Sequence, residues 1–454
     1  MDVSHILNDL NDAQRQAVTA EAGNTLVLAG AGSGKTRVLV HRIAWLIQAE
    51  NFSPYSILAV TFTNKAAREM RERIDHLLGI NTRGMWVGTF HGLAHRLLKA
   101  HWQEAGLPEN FQILDADDQL RIIKRICREL ELDEARWPAK QVQWFVNAQK
   151  DEGRRAAHLD HHSRDLFQQM MLKVYLAYEQ VCARQGVVDF AELLLRAHEL
   201  WLQKPAILQH YQQRFRYMLV DEFQDTNAVQ YAWLRVLAGD RIPITAVGDD
   251  DQSIYGWRGA RIENIQQFSK DFANTQFIRL EQNYRSTATI LNAANAVIAN
   301  NQGRLGKELW TSGEDGEPIS LYAAFNEMDE ARFVIERIQA WVDDGNARAS
   351  AAVLYRSNAQ SRVLEEALIR SGTPYRIYGG LRFYDRLEIK NALAYLRLLV
   401  NRDDDTAIER AINTPTRGIG DKTVETVRSY AREQAVSLWR AAHEVIARSL
   451  LPGR

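Results

Sequence analysis

The stretch Ala29-Gly30-Ala31-Gly32-Ser33-Gly34-Lys35-Thr36 carries the densest chemical signal in the chain. It follows an apolar, strand-like run, Leu26-Val27-Leu28, and opens a helix-patterned segment from Arg37 to Gln48. Glycines at these spacings let backbone N–H groups curl round a polyphosphate, and the helix N-terminus behind them adds a positive dipole end. Lys35 supplies a compact positive charge for the terminal phosphates, and the Thr36 hydroxyl is suited to hold Mg²⁺. Ala29 stands where the usual pattern has its leading glycine, which costs little where no positive φ is required. A plain glycine turn joining strand to helix would use the same residues, so the motif needs a companion.

That companion is Tyr217-Met218-Leu219-Val220-Asp221-Glu222-Phe223-Gln224-Asp225. An apolar strand ends in two adjacent carboxylates at its C-terminal edge, where α/β sheets bind ligands. Asp221 is suited to hold Mg²⁺, partly through water, and Glu222 to take the proton from an attacking water. A further strand-like run, Ile244–Val247, leads into a polar loop bearing Gln252, which suits orienting a water or sensing a γ-phosphate. Tyr255, Trp257 and Arg258 follow, broken by Gly256 and Gly259. Aromatics spaced by glycine beside an arginine form a platform on which bases stack, although aromatics at such positions also serve cores.

Several elements must position these groups. Strand-then-helix units occupy residues 24–90, with strands at Leu26–Ala29, Ile57–Phe62 and Trp86–Thr89. From about 91 to 213 the pattern is almost wholly helical, and strands return at Tyr217–Val220 and Ile244–Val247. This is the signature of a parallel α/β domain interrupted by a helical insertion. A second α/β region begins near 281, with strands expected at Ile319–Ala323, Ala352–Tyr355 and Tyr375–Tyr378, and helical text resumes after about 381. At 454 residues the chain exceeds one hydrophobic core. Its 56 basic and 57 acidic side chains give a net charge of -1, so nucleic acid would have to be held by local patches. Two cysteines without metal spacing argue against a disulfide framework or a zinc site. The N-terminus has no leader-like pattern and no run spans a bilayer, so the expected location is cytoplasmic with no membrane partner.

Over its whole length, and in order, the chain resembles superfamily 1 DNA helicases of the UvrD/Rep/PcrA group. The DEFQD stretch from Asp221 to Asp225, GDDDQSIYGWRGA from Gly248 to Ala260 and QNYRST from Gln282 to Thr287 are specific to that group. The resemblance implies an α/β fold with a RecA-like ATP-binding domain at 1–90 plus 214–280 and a helical insertion at 91–213. A partial second RecA-like domain at 281–380 would follow, with the start of its own, truncated helical insertion at 381–454. The ligands implied are ATP and Mg²⁺. Gln14 would read adenine, Arg37 would add a nucleotide contact, Tyr284 would stack on adenine, and Arg285 would reach the γ-phosphate through its planar fork. Single-stranded DNA contacts fall on Phe62, Thr63, Asn64, Thr89, His91, Phe190, Tyr255, Trp257, Arg258 and Asn358. For Phe90 and Phe190 a core role fits the sequence equally well. Thr416–Thr423 resembles a helix-hairpin-helix turn whose Gly418 and Gly420 would admit a duplex phosphate, though a plain helix–helix turn fits too.

The activity implied is an ATP-dependent 3′→5′ DNA helicase and single-strand translocase, acting at single-strand/duplex junctions as a monomer or self-associating on DNA. Roles in nucleotide excision repair, mismatch repair and replication, with repair proteins as partners, follow from the resemblance alone. An ATP-gated single-strand binder that never unwinds is the alternative. A transporter-type ATPase shares the phosphate loop, but its Leu-Ser-Gly-Gly-like signature is missing. The group's last two motifs are also missing from the 454 residues. The expectation is thus an N-terminal portion that binds nucleotide but hydrolyses and unwinds poorly alone, an arginine finger being worth about 10³–10⁵ in rate.

Overall fold

The computed structural model describes residues 3–451 except 163, 379–385 and 435. It divides into two compact units, one ending at Glu317 and the other starting at Pro318. The expected boundary at 380/381 lies outside the described residues.

Among its described residues the first unit has eight strands: β1 (Thr25–Ala29), β2 (Ile57–Thr61), β3 (Trp86–Thr89), β4 (Gln112–Ile113), β5 (Val187–Val188), β6 (Tyr217–Val220), β7 (Ile244–Gly248) and β8 (Gln276–Leu280). Six of them form one sheet in the order β3-β2-β6-β7-β1-β8, and every pairing is parallel. Parallel strands are covered on both faces, which explains why β1, β2, β6 and β7 read as unbroken apolar runs. Alternation of side chains then splits each run between two cores. Leu26, Leu28, Leu58, Val60, Met218 and Val220 enter one, while Val27, Ala29, Ile57, Ala59, Tyr217 and Leu219 enter the other. The C-terminal ends of β1, β2, β6 and β7 carry the motifs singled out above, so one sheet edge collects the chemistry.

The insertion from 91 to 213 has its own core around Ile123, Val142, Val146, Tyr175 and Tyr178. It is helical, with one small addition: the two-residue strands β4 and β5 pair in parallel. The edge strand β8, where only Ile278 and Leu280 are buried, is also an addition to the sequence-based expectation.

The second unit differs from expectation. Among its described residues no strand forms at Ile319–Ala323, Ala352–Tyr355 or Tyr375–Tyr378. A strand is defined by its ladder, and without neighbours the apolar alternation buries nothing: Leu321 is 97% and Leu354 94% exposed. The described helices include Glu327–Asp343, Ser361–Arg370 and Leu387–Val400, and a small core gathers Ile408, Val427, Tyr430, Ala441 and Val445.

Candidate functional site

The phosphate loop leaves β1 and turns into helix Lys35–Gln48. Gly32 (φ 67°) and Gly34 (φ 91°) occupy the left-handed region that a side chain would resist. Inside the loop the Ser33 hydroxyl donates to the Gly30 carbonyl at 2.7 Å. Lys35 projects from the first helical position and its Nζ lies 3.3 Å from Glu222 Oε2. The phosphate loop and the acidic end of β6 therefore meet. That ammonium is buried and ion-paired but has no hydrogen-bond partner, which leaves its donors for a bound phosphate.

Asp221 lies at the end of β6, 5% exposed, and accepts from the Glu222 N–H at 3.0 Å and the Thr61 hydroxyl at 3.4 Å. Burial, then the neighbouring Glu222 charge, pushes its carboxyl up to about 7 against the pull of Lys35. A nearby divalent cation would reverse that pressure. Thr36 and Asp221 supply only oxygen donors, the set that Mg²⁺ prefers. Three consecutive carboxylates, Asp249, Asp250 and Asp251, also come together, but the Lys307 ammonium already sits among them at 2.7, 2.5 and 2.8 Å.

Glu222 adopts a left-handed backbone conformation (φ 49°), which a non-glycine residue holds only at a cost. Gln224 donates to its Oε2 at 2.8 Å, and the Oε1 of the same amide accepts from Asp249 N–H at 2.9 Å. Gln252 donates to Asp249 Oδ2 at 2.5 Å. Gln252 and Glu222 are thus tied through Asp249 and Gln224, two residues to which the sequence reading gave no task.

The QNYRST stretch lies on the phosphate loop. Asn283 donates to the Ala31 carbonyl at 2.6 Å and accepts from the N–H groups of Arg285 and Ser286, while Tyr284 N–H donates to the Gly32 carbonyl. A Cβ on Gly32 would stand 2.5 Å from Asn283 Nδ2, so glycine is needed for this approach. The Tyr284 hydroxyl takes a hydrogen bond from Asn11, and its ring is 54% exposed. Arg285 is exposed beside the loop. Gln14 is buried, donating to the Ser33 carbonyl and closing a capping box with Asn11, so its amide braces the loop. Arg37 donates to the Asp9 carbonyl.

A groove of about 690 Å³ borders this site. Phe62, His91, Phe190, Tyr255, Trp257 and Arg258 all line it. Phe62 stands 5.0 Å from Tyr255, Tyr255 6.3 Å from Trp257, and the Arg258 guanidinium 4.6 Å from the Trp257 ring. Phe190 is 54% exposed and meets His91 edge-on, whereas Phe90 is buried in the core. Burial pushes His91 down to about 4, so near neutrality it offers a hydrogen bond and no charge. Thr63 and Thr89 cap helices Asn64–Leu78 and Phe90–Ala100, and Asn64 accepts from Thr89 at 3.5 Å. The two sites share short connections. Phe62 follows the Thr61 that bonds Asp221, Asp225 lines the groove three residues from Glu222, and Tyr255 lies three beyond Gln252.

In the second unit, Asn358 is exposed at the start of a short 3-10 turn. Gly418 (φ 69°) and Gly420 face open space in a loop that Asn413 braces through Ile419.

Asp151 lines the groove and accepts from Asn227 Nδ2 at 3.0 Å. Burial, with the charges of Asp189 and Glu152, pushes its carboxyl up to about 7 from 3.8. The native state therefore holds a proton that the unfolded chain has lost between about pH 4 and 7. Stability from this group declines as pH rises through that window, by at most about 1.4 kcal/mol per pH unit. Asp151→Asn is expected to flatten the thermal-unfolding profile between pH 4 and 7, and an unchanged profile would contradict the assignment.

The fold and the paired sites define a phosphate-loop nucleotide-binding domain carrying an aromatic groove. Residues 10–273 match the UvrD/REP helicase N-terminal domain and residues 278–445 the UvrD-like helicase C-terminal domain, so the chain belongs to the UvrD/Rep helicase family. It is 64% identical over all 454 residues to DNA helicase II of Escherichia coli K12 and 59% identical to DNA helicase II of Haemophilus influenzae. It is 44% identical, over 97% of its length, to the ATP-dependent DNA helicase PcrA of Staphylococcus aureus. It spans 63% of the two helicase II chains and 60% of PcrA. No described helix is long and apolar enough to cross a membrane.

Proposed function

We propose that this chain is the ATP-binding and strand-gripping portion of a DNA helicase that moves 3′→5′ along single-stranded DNA and opens duplex ahead of it. The observation that carries this reading is the shared wiring of the two sites, since Asp225 and the turns at Thr61–Phe62 and Gln252–Tyr255 belong to both. Lys35 and the loop N–H groups bind the polyphosphate, and Arg285 approaches its end. Glu222, held by Gln224, accepts the proton of the attacking water, and Gln252 orients that water. Thr36 and Asp221 would hold Mg²⁺, which supplies charge neutralisation at the phosphates.

Phe62, Phe190, Tyr255 and Trp257 hold bases by stacking. One stack is worth about 1–3 kcal/mol, similar to one duplex step at about 0.6–2.2 kcal/mol. Stacking therefore traps an opened base, and the nucleotide cycle must release it. Thr63, Asn64, Thr89, His91, Arg258 and Asn358 steady the strand, and the loop at Gly418 and Gly420 takes a duplex phosphate. Work in DNA repair and replication, with repair proteins as partners, is the part of this proposal that rests on the family resemblance alone. Duplexes with a 3′ or a 5′ single-stranded tail, given to the chain extended to the length of its helicase II relatives, test the reading: ATP-dependent strand separation is expected from the 3′ tail only. Tight single-strand binding with no separation of either would favour an ATP-gated binder instead.

A further inference from the structure

We propose that Trp144 is a second wall of the base-stacking groove, so that the helical insertion grips a nucleobase alongside the sheet domain; this rests on the nucleic-acid reading above. Trp144 is 70% exposed, although an indole is among the largest apolar surfaces a protein can hide. It lies on helix Ala139–Asp151 and lines the groove with Asn147, Ala148 and Asp151, the i, i+3, i+4, i+7 face of that helix. By contrast Trp137, on the same insertion, is buried and stacked on Phe167.

The opposite face of the helix is fixed. Val142, Val146 and Lys150 are buried, and Lys150 Nζ sits 2.7 Å from Asp189 Oδ2 and 3.0 Å from Glu192 Oε2. Asp189 also caps the helix that begins with Phe190. One buried ion cluster therefore positions both Trp144 and Phe190 on the insertion side of a groove that Tyr255 and Trp257 also line. The acids that line the groove carry little free charge: Lys150 pairs with Asp189, Arg261 with Glu152, and Asp151 keeps its proton up to about 7. Exposed aromatic faces are left as what the groove offers a ligand, and they suit nucleobases.

The test uses the whole chain and a single-stranded thymidine oligonucleotide of about 15 nucleotides, with an abasic strand of equal phosphate count beside it. Trp144→Ala is expected to weaken thymidine-strand binding at least fivefold, about 1 kcal/mol for one lost stack, with thermal stability unchanged. Trp144→Phe should recover most of the loss, and the abasic strand should not distinguish Trp144→Ala from the parent. If Trp144→Ala binds normally while Trp257→Ala is weakened, the second wall does not exist and the groove reading stands. Equal loss on both strands overturns stacking by Trp144. No loss from either variant overturns the groove reading, and this inference with it.

Discussion

Lys35→Ala is expected to weaken binding of a non-hydrolysable ATP analogue by about 10- to 150-fold, the worth of a charge-assisted contact to phosphate of about 1.5–3 kcal/mol. The Lys35 ammonium is buried and lies 3.3 Å from Glu222 Oε2 but has no hydrogen-bond partner, so its donors are free for a phosphate. Glu222→Gln should behave in the opposite way. It keeps the shape and the hydrogen-bonding capacity of the side chain, so analogue binding survives, while any turnover falls by about 10²–10⁴-fold with loss of the general base. Equilibrium binding by fluorescence anisotropy checks the first variant and steady-state phosphate release the second. Unchanged analogue affinity in Lys35→Ala would remove the lysine from the nucleotide site.

The second large effect is on stability. Lys307 is 3% exposed at its side chain and touches three carboxylates. Against the desolvation that would lower it, the Asp249 charge and the hydrogen bonds to Asp249, Asp250 and Asp251 hold its pKa above the ordinary value. Lys307→Met would strand those carboxylates, at a cost of about 3–5 kcal/mol. Arg304, which forks onto Asp251 at 2.7 and 2.8 Å, would offset only part of it. The expected fall in melting temperature is about 6–20 °C, at about 2–4 °C per kcal/mol for a domain of this size. Asp250→Asn added to Lys307→Met should recover part of the loss, because one unpaired charge is gone. A melting temperature within about 2 °C of the parent for Lys307→Met would mean the cluster contributes little.

What the sequence disclosed was local and contiguous. A strand, a glycine turn and a lysine are adjacent in the chain, so the loop at 29–36 could be read without folding anything, and so could the carboxylates that end β6. Apolar runs without alternation marked β1, β2, β6 and β7 because both sheet faces are covered. What stayed hidden depends on residues far apart in the chain. Asn283 braces Ala31 and Lys307 neutralises the Asp249–Asp251 turn, yet neither looks unusual in its own neighbourhood. Gln224 lay within a motif already singled out, but only its bonds to Glu222 and Asp249 reveal its work. Trp144 reads as one more core aromatic until the helix face it occupies is known. The three strands expected in the second unit fail for a related reason: apolar alternation announces a strand, but only a neighbour with free backbone groups makes one.

The central claim is that the Lys35 loop and the Asp221–Glu222 strand end serve one Mg·ATP. The most direct measurement is the Mg²⁺ dependence of ATP-analogue binding in the parent chain, Lys35→Ala and Asp221→Asn. Mg²⁺ should tighten binding in the parent, and Asp221→Asn should lose most of that gain while its metal-free affinity stays near the parent value. Lys35→Ala should be weak in both conditions. Analogue binding that responds to Mg²⁺ equally in the parent and in Asp221→Asn would contradict the account.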